Sequence, residues 1–390
     1  MRIAVLFDTY LEDRKGLFNA IMNRSKCLMA MPDCDVDMIC LQGRQAGLNK
    51  ILRHSVRREY VDTFQEGDIV FKVVWYKRYL LDDILFNRYH RPHFLFRKWA
   101  KKYAAQFQDY DIVTAHSARC GELARLINKQ YGVPYYVTWH GTDIHTTPFQ
   151  SVRLRNYVTD ILTSASCNFF VSKALSEIAL QFASSFKYEI LYNGVSEDFV
   201  KYDEVKRRAI RQKYGILDNK VVAFVGNVIS VKNVLLLPPI FDIVKKRYSK
   251  AVSFWIIGDG NQRKAVEEGM RERDIECTFW GNMAPADMPN MMNCIDVLVL
   301  PSKNESFGLV LVEAMACGAN VVGSMVGGIP EVIGDENVFE FGDDFVSNIS
   351  ERILFFLTNE IEQKVDKRFD WKETAKVEYS IYKQTCENDG

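Results

Sequence analysis

Short runs of β-branched and aromatic residues recur along this chain, each followed by a longer stretch with helical spacing. That alternation leaves few folds open. The first half carries RIAVLF (2–7), DVDMICL (35–41), DIVTA (111–115), YYVTW (135–139), NFFVS (168–172) and EILYN (189–193). The second half carries VVAFVG (221–226), VSFWII just before Gly258, ECTFW (276–280), DVLVLP (296–301) and NVVGS (320–324). Runs that are apolar on both faces belong to strands covered by helices on both sides, so the pattern predicts α/β units with parallel sheets. At 390 residues the chain exceeds one ordinary core. We therefore expect two Rossmann-like domains facing each other across a cleft. The charged stretch 196–220 ends on the turn residues Leu217, Asp218 and Asn219, which puts the boundary at about 195–220. The expected domains are 1–200 and 201–372. Such sheets bind ligands beyond the carboxyl ends of their strands, so the cleft is the expected site.

Composition narrows the function. Apolar residues make up 48% and charged residues 26%, an ordinary globular mixture. Formal net charge is zero, which gives no steering toward nucleic acid. The nine cysteines form no C-x-x-C pair and read as buried free thiols of a reducing cytosol. The opening MRIAVLFDTY is too short an apolar run for a signal peptide, and no stretch approaches the roughly 18 apolar residues of a membrane span. A cytoplasmic protein is expected. One segment is anomalous: residues 77–102 hold eight Lys/Arg against two Asp, interleaved with Tyr, Phe and Trp. Two readings stay open for it. One is a solvated helix face with a core stripe. The other is an anionic membrane surface on the inner face of the cell membrane, with Phe94, Phe96 and Trp99 inserted and Arg97, Lys98, Lys101 and Lys102 meeting headgroups.

The segment PSKNESFGLVLVEAMACGANVVGSMVGGIPEVI, residues 301–333, is the most informative. A strand ends at Pro301, a polar loop carries Glu305, and a helix from about Phe307 to Cys317 carries Glu313. Gly308 lets the backbone at the helix start approach a ligand. Free N–H groups and the helix dipole favour an anion such as a diphosphate there. Glu305-x7-Glu313, inside ESFGLVLVEAMACG, resembles the E-x7-E motif of the retaining glycosyltransferases called group 1 or family 4, which have the GT-B fold. The resemblance implies that Glu305 and the backbone of Ser306, Phe307 and Gly308 hold donor-sugar hydroxyls. It implies that Glu313 holds the nucleotide ribose, since a carboxylate accepts two hydrogen bonds from a diol.

Other segments join the resemblance. FDWKETAKVEYSIYKQ (369–384) is similar to the family's closing helix, which implies that 373–390 packs back on the first domain. VGNVISVKN (225–233) is similar to the diphosphate loop, with Lys232 as its cation and Asn227 where the family usually carries Arg. IIGDGNQR (256–263) is similar to a strand-end turn, and no G-x-G-x-x-G completes it as a dinucleotide fingerprint. Gly281, Asn282 and Met283 fall in the loop that lines the base. TWHGTDIH (138–145) resembles the H-G-x-D segment, which directs His140 toward the transferred sugar, while Asp143 orders the turn or caps the next helix. His116 closes another strand, as a core residue or a functional one. Where the family has a Gly-Gly pair in the first loop, this chain has only Gly16, with Arg14 and Lys15 beside it.

The implied activity is retaining, metal-independent transfer of a hexose-type sugar from a nucleotide sugar to a saccharide or lipid-linked saccharide acceptor, in surface-polysaccharide or glycoconjugate assembly. Glu305, Lys232 and His140 are its catalytic candidates. No cofactor is implied, and no metal, since Asp82-Asp83 is not a D-x-D pair. Two alternatives remain: a nucleotide-sugar epimerase, and a non-catalytic sugar-nucleotide-binding protein.

Overall fold

Burial along the strands follows from their composition. RIAVLF is buried at every position after Arg2, and YYVTW at every position, because helices shield both faces of a parallel sheet. The computed structural model describes residues 1–9, 16–46, 61–91 and 94–388. The chain divides into two units, Met1–Tyr192 with Trp371–Gly390, and Asn193–Asp370.

The first unit holds β1 (Arg2–Phe7), β2 (Asp35–Ala46), β3 (Thr63–Glu66), β4 (Ile69–Tyr79), β5 (Ile112–Ala115), β6 (Tyr135–Trp139), β7 (Cys167–Phe170) and β8 (Tyr188–Ile190). They form one sheet in the order β3-β4-β2-β1-β5-β6-β7-β8, parallel except for the antiparallel β3–β4 pair. The second unit holds β9 (Lys220–Val225), β10 (Val252–Ile257), β11 (Cys277–Gly281), β12 (Val297–Leu300), β13 (Asn320–Ser324) and β14 (Val338–Phe339). Their order, β11-β10-β9-β12-β13-β14, is that of a doubly wound sheet. The order reverses between β1 and β5 in one unit and between β9 and β12 in the other, and ligands of such sheets bind at the reversal.

Three strands went unforeseen. The β3–β4 hairpin lies where alternation in IVFKVVWYKRY is blurred by the basic run that starts at Lys77. The two-residue β14 is too short to leave a periodic signal.

The helix Trp371–Asn388 is held in the first unit by a buried ion pair, Arg24 Nε to Glu378 Oε2 at 2.6 Å. Tyr382 donates to the other oxygen of Glu378, and Thr374 Oγ1 donates to the carbonyl of Tyr192 at 2.8 Å. Leaving either buried charge without its partner costs on the order of 3–5 kcal/mol, so the pair fixes where this helix docks.

The basic segment 77–102 departs from its membrane reading in part. Phe96 is 2% exposed and packs edge-on against Tyr76, and Trp99 stacks on Tyr103 with centroids 4.8 Å apart. Both rings serve the core, which leaves Phe94, 62% exposed, as the outward aromatic of the three. Arg97 is also committed, to the buried Glu122 at 2.6 Å. Asp82 accepts the N–H groups of Leu95 and Phe96 at the start of the helix Phe94–Tyr103, and Asp83 pairs with Arg78 at 2.6 Å. This acidic pair is thus structural. All nine cysteines are free thiols. Among the described residues no helix is long and apolar enough to cross a membrane.

Candidate functional site

In the second unit, three loops meet where the sheet order reverses. The first leaves β9 at Gly226 and runs to Lys232. The second leaves β12 at Pro301 and carries Glu305. They are joined by the Lys303 N–H, which donates to the Val231 carbonyl at 2.8 Å. This brings together two residues 73 positions apart: Lys232 Nζ contacts Glu305 Oε2 in an ion pair that is mostly shielded from solvent.

The third loop holds Val326, Gly327 and Gly328, and it explains why Glu305 sits where it does. Gly328 N–H donates to the Glu305 carbonyl at 3.0 Å. Gly327 has φ +53°, and a Cβ there would lie 1.8 Å from the Glu305 carbonyl oxygen. A Cβ on Gly328 would lie 2.5 Å from the Ser306 oxygen. Only glycines allow this approach. Sequence reading missed their role, since GGIP carries no sign of what it will touch.

The GDG turn acts in the same way and is no dinucleotide fingerprint. A Cβ on Gly258 would lie 2.0 Å from the Gly226 oxygen, and one on Gly260 would lie 2.3 Å from the Val228 oxygen. Those glycines seat the turn against the loop that leads to Lys232. Gly258 N–H also donates to the Gly281 carbonyl at 2.8 Å, so that carbonyl is already engaged. Asn282 is exposed, and Met283 and Asn227 are half-buried.

The helix after Glu305 is Leu309–Ala316, capped by Gly308 at φ 89°. It starts two residues later than the sequence suggests, because Gly308 turns the chain first. The Leu311 N–H donates to the Gly308 carbonyl at 2.8 Å, and the N–H groups of Leu309 and Val310 precede any intrahelical acceptor. Phe307 is buried and packs edge-on against Phe369, so its ring belongs to the core. Glu313 is half-buried, with no cation paired to it among the described residues, and desolvation raises its pKa from 4.5 to about 8.

In the first unit the strand ends carry Asp8 after β1, His116 after β5 and His140 after β6. His116 Nδ1 lies 3.0 Å from His140 Nε2. Burial foremost, then the nearby Arg24 charge, lowers the His140 pKa to about 3; burial, His140 and Arg24 likewise depress His116. Both rings are neutral at pH 7. Asp8 Oδ2 pairs with Arg119 Nη1 at 3.1 Å. Asp143 does not cap the helix that follows it: its carboxylate accepts the Ala118 N–H at 2.9 Å, at the start of the helix Ala118–Tyr131. Burial raises its pKa to about 6. Gly16 opens the helix Gly16–Met29, and nothing lies within 4 Å of the Cβ it lacks. Arg14 and Lys15 lie outside the described residues.

Two doubly wound units, each presenting loops at its strand ends, are the architecture of the GT-B fold. The chain belongs to the group 1 glycosyltransferases: the family described as Glycosyl transferases group 1 matches residues 206–378, and Glycosyltransferase Family 4 matches 25–199. An uncharacterized glycosyltransferase of Methanocaldococcus jannaschii is 26% identical over 336 residues, covering 77% of this chain and 83% of that protein. The D-inositol 3-phosphate glycosyltransferase of Mycobacterium tuberculosis is 29% identical over 253 residues, 58% of this chain and 49% of its own length. Among solved structures, a sucrose-phosphate synthase from Thermosynechococcus elongatus superposes with TM-score 0.73 at 17% identity, covering 98% of both chains. Anabaena HepE in complex with UDP and glucose superposes with TM-score 0.67 at 18% identity, covering 100% of this chain and 99% of that one.

Proposed function

We infer that the protein transfers a hexose-type sugar, with retention, from a nucleotide sugar to a saccharide or lipid-linked saccharide acceptor in surface-polysaccharide or glycoconjugate assembly. The observation that carries this reading is the convergence of Lys232 and Glu305 at the reversal of the second sheet, beside a helix N-terminus. In this reading Lys232 and the first N–H groups of Leu309–Ala316 take the charge that grows on the leaving diphosphate. Glu305, with the backbone of Ser306 to Gly308, holds sugar hydroxyls. Asn227 and residues 281–283 line the rest of the nucleotide, and Glu313 accepts the two ribose hydroxyls. The first unit supplies His140 and the acceptor site near Gly16. The leaving phosphate takes the acceptor's proton as the C–O bond to phosphate breaks and the new glycosidic bond forms on the same face. The positive charge comes from Lys232 and the helix, so the reading calls for no divalent cation.

Uridine diphosphate is the first nucleotide to test, since HepE was solved with UDP and glucose. The Glu313 pKa of about 8 gives the binding a definite pH dependence. The ionised carboxylate accepts both ribose hydroxyls and the protonated acid does not. Affinity therefore rises with pH up to about 8 and levels off above it. The phosphate ionises with a pKa of about 6 and is almost fully charged from about pH 7.5 upward, so the slope above that belongs to Glu313. Because the folded-state pKa lies above the ordinary 4.5, stability runs the other way and falls as pH rises between the two values. Titration calorimetry between about pH 7.5 and 9 reads the affinity. Glu313→Gln should bind weakly with a flat profile; an unchanged slope in that variant removes Glu313 from the ribose site.

The lipid-linked acceptor rests on the outward face of 77–102. Leu81, Ile84, Tyr89 and Phe94 are exposed there beside Lys98, Lys101 and Lys102. Co-sedimentation with vesicles containing anionic lipid should exceed that with neutral vesicles and fall as salt rises. Equal sedimentation with both removes the membrane from the account.

A further inference from the structure

His116 closes β5 and His140 closes the neighbouring β6, so the two rings leave the sheet side by side. Their planes are 25° apart with centroids separated by 5.3 Å, and the nitrogens that face each other are 3.0 Å apart. The backbone N–H of His116 is fixed by the Leu6 carbonyl at 2.9 Å, and the ring is almost wholly buried. The rings are neutral for the physical reasons given above. Two neutral imidazoles in contact share one proton: one nitrogen donates and the other accepts. The outer nitrogens, Nε2 of His116 and Nδ1 of His140, must then have opposite senses. Neither has a hydrogen-bond partner among the described residues. A partner on one ring nitrogen sets what the other can do, the logic by which an orienting group fixes a histidine elsewhere.

We propose that His116 is a positioning residue for His140, holding its Nε2 so that its Nδ1 meets a sugar hydroxyl in one tautomer and one orientation. The proposal rests on the reading of His140 as a sugar contact. It gives His116 a role that no motif assigns, and it explains a polar ring buried at a strand end whose one ring hydrogen bond among the described residues is aimed at another ring.

The test combines a spectroscopic readout with kinetics. In protein labelled with ¹⁵N-histidine, His140 of the wild type should populate one neutral tautomer between pH 6 and 8. His116→Leu should move it toward the mixture seen for free imidazole. The same variant should lower kcat by about tenfold or more while the donor KM stays within about threefold, the scale at which orienting partners of histidine act. His116→Asn places an amide near the Nδ1 position and should keep kcat within about threefold of wild type. His116→Gln reaches toward the Nε2 position instead and should fail to do so. If His116→Leu does not fold, the Asn and Gln variants decide, and equal activity in the two overturns the proposal. An unchanged His140 tautomer in folded His116→Leu overturns it as well. Should the wild type turn over no sugar nucleotide, the transferase reading fails by itself, and the tautomer comparison still decides the histidine pair.

Discussion

Lys232→Ala is expected to lower donor turnover by about 10²–10³-fold, the loss seen when one preorganised stabiliser of developing charge is removed. In the structure the ammonium pairs with Glu305 at a partly shielded site. Donor diphosphate would compete for that ammonium and draw it from Glu305. The charge it meets is larger in the transition state than in the bound donor, so the effect should fall on kcat more than on KM. Lys232→Arg should recover only part of the rate, since a planar guanidinium does not replace a compact ammonium on a short loop. Steady-state kinetics of both variants check this. A kcat within threefold of wild type in Lys232→Ala would show that the leaving group is stabilised elsewhere.

Gly327→Ala should be nearly as damaging, although residue 327 carries no chemistry. The added methyl would sit 1.8 Å from the Glu305 oxygen and 2.9 Å from its carbonyl carbon. Both are backbone atoms, so no side chain can swing away to make room. The φ of +53° adds strain for any residue with a Cβ. Either loop must then shift, and misplacing a catalytic group by about 1 Å costs on the order of 10²-fold in rate. Gly342→Ala is the control: nothing lies within 4 Å of its Cβ position and its φ is not positive. Turnover and thermal unfolding of both variants test this. Equal behaviour would mean that the Gly327 loop does not hold Glu305.

Much of this was legible from sequence, for stated reasons. Buried parallel strands write themselves as continuous apolar runs, so β1, β6 and β12 could be found and the fold class followed. Glu305, Gly308 and Glu313 stood out because the phrase ESFGLVLVEAMACG resembles a family motif; their spacing alone would not have singled them out. What stayed hidden was contact across the sheet order. No local pattern says that Gly327 will lie against Glu305, or that GDG will seat the loop before Lys232. His116 and His140 are 24 positions apart. Their contact follows from β5 and β6 being neighbours, a fact of topology. The aromatic residues of 77–102 left two readings open for a different reason: Phe96 and Trp99 look the same in sequence whether they face lipid or core.

The most direct test is acceptor-free turnover of a panel of nucleotide sugars by wild type and by Glu305→Ala. The account predicts slow hydrolysis of one donor class to free sugar and nucleoside diphosphate, with loss of that activity in Glu305→Ala and retained nucleotide binding. Conversion of a donor to its epimer, or tight nucleotide binding with no turnover of any donor in the presence or absence of saccharide acceptors, would contradict it.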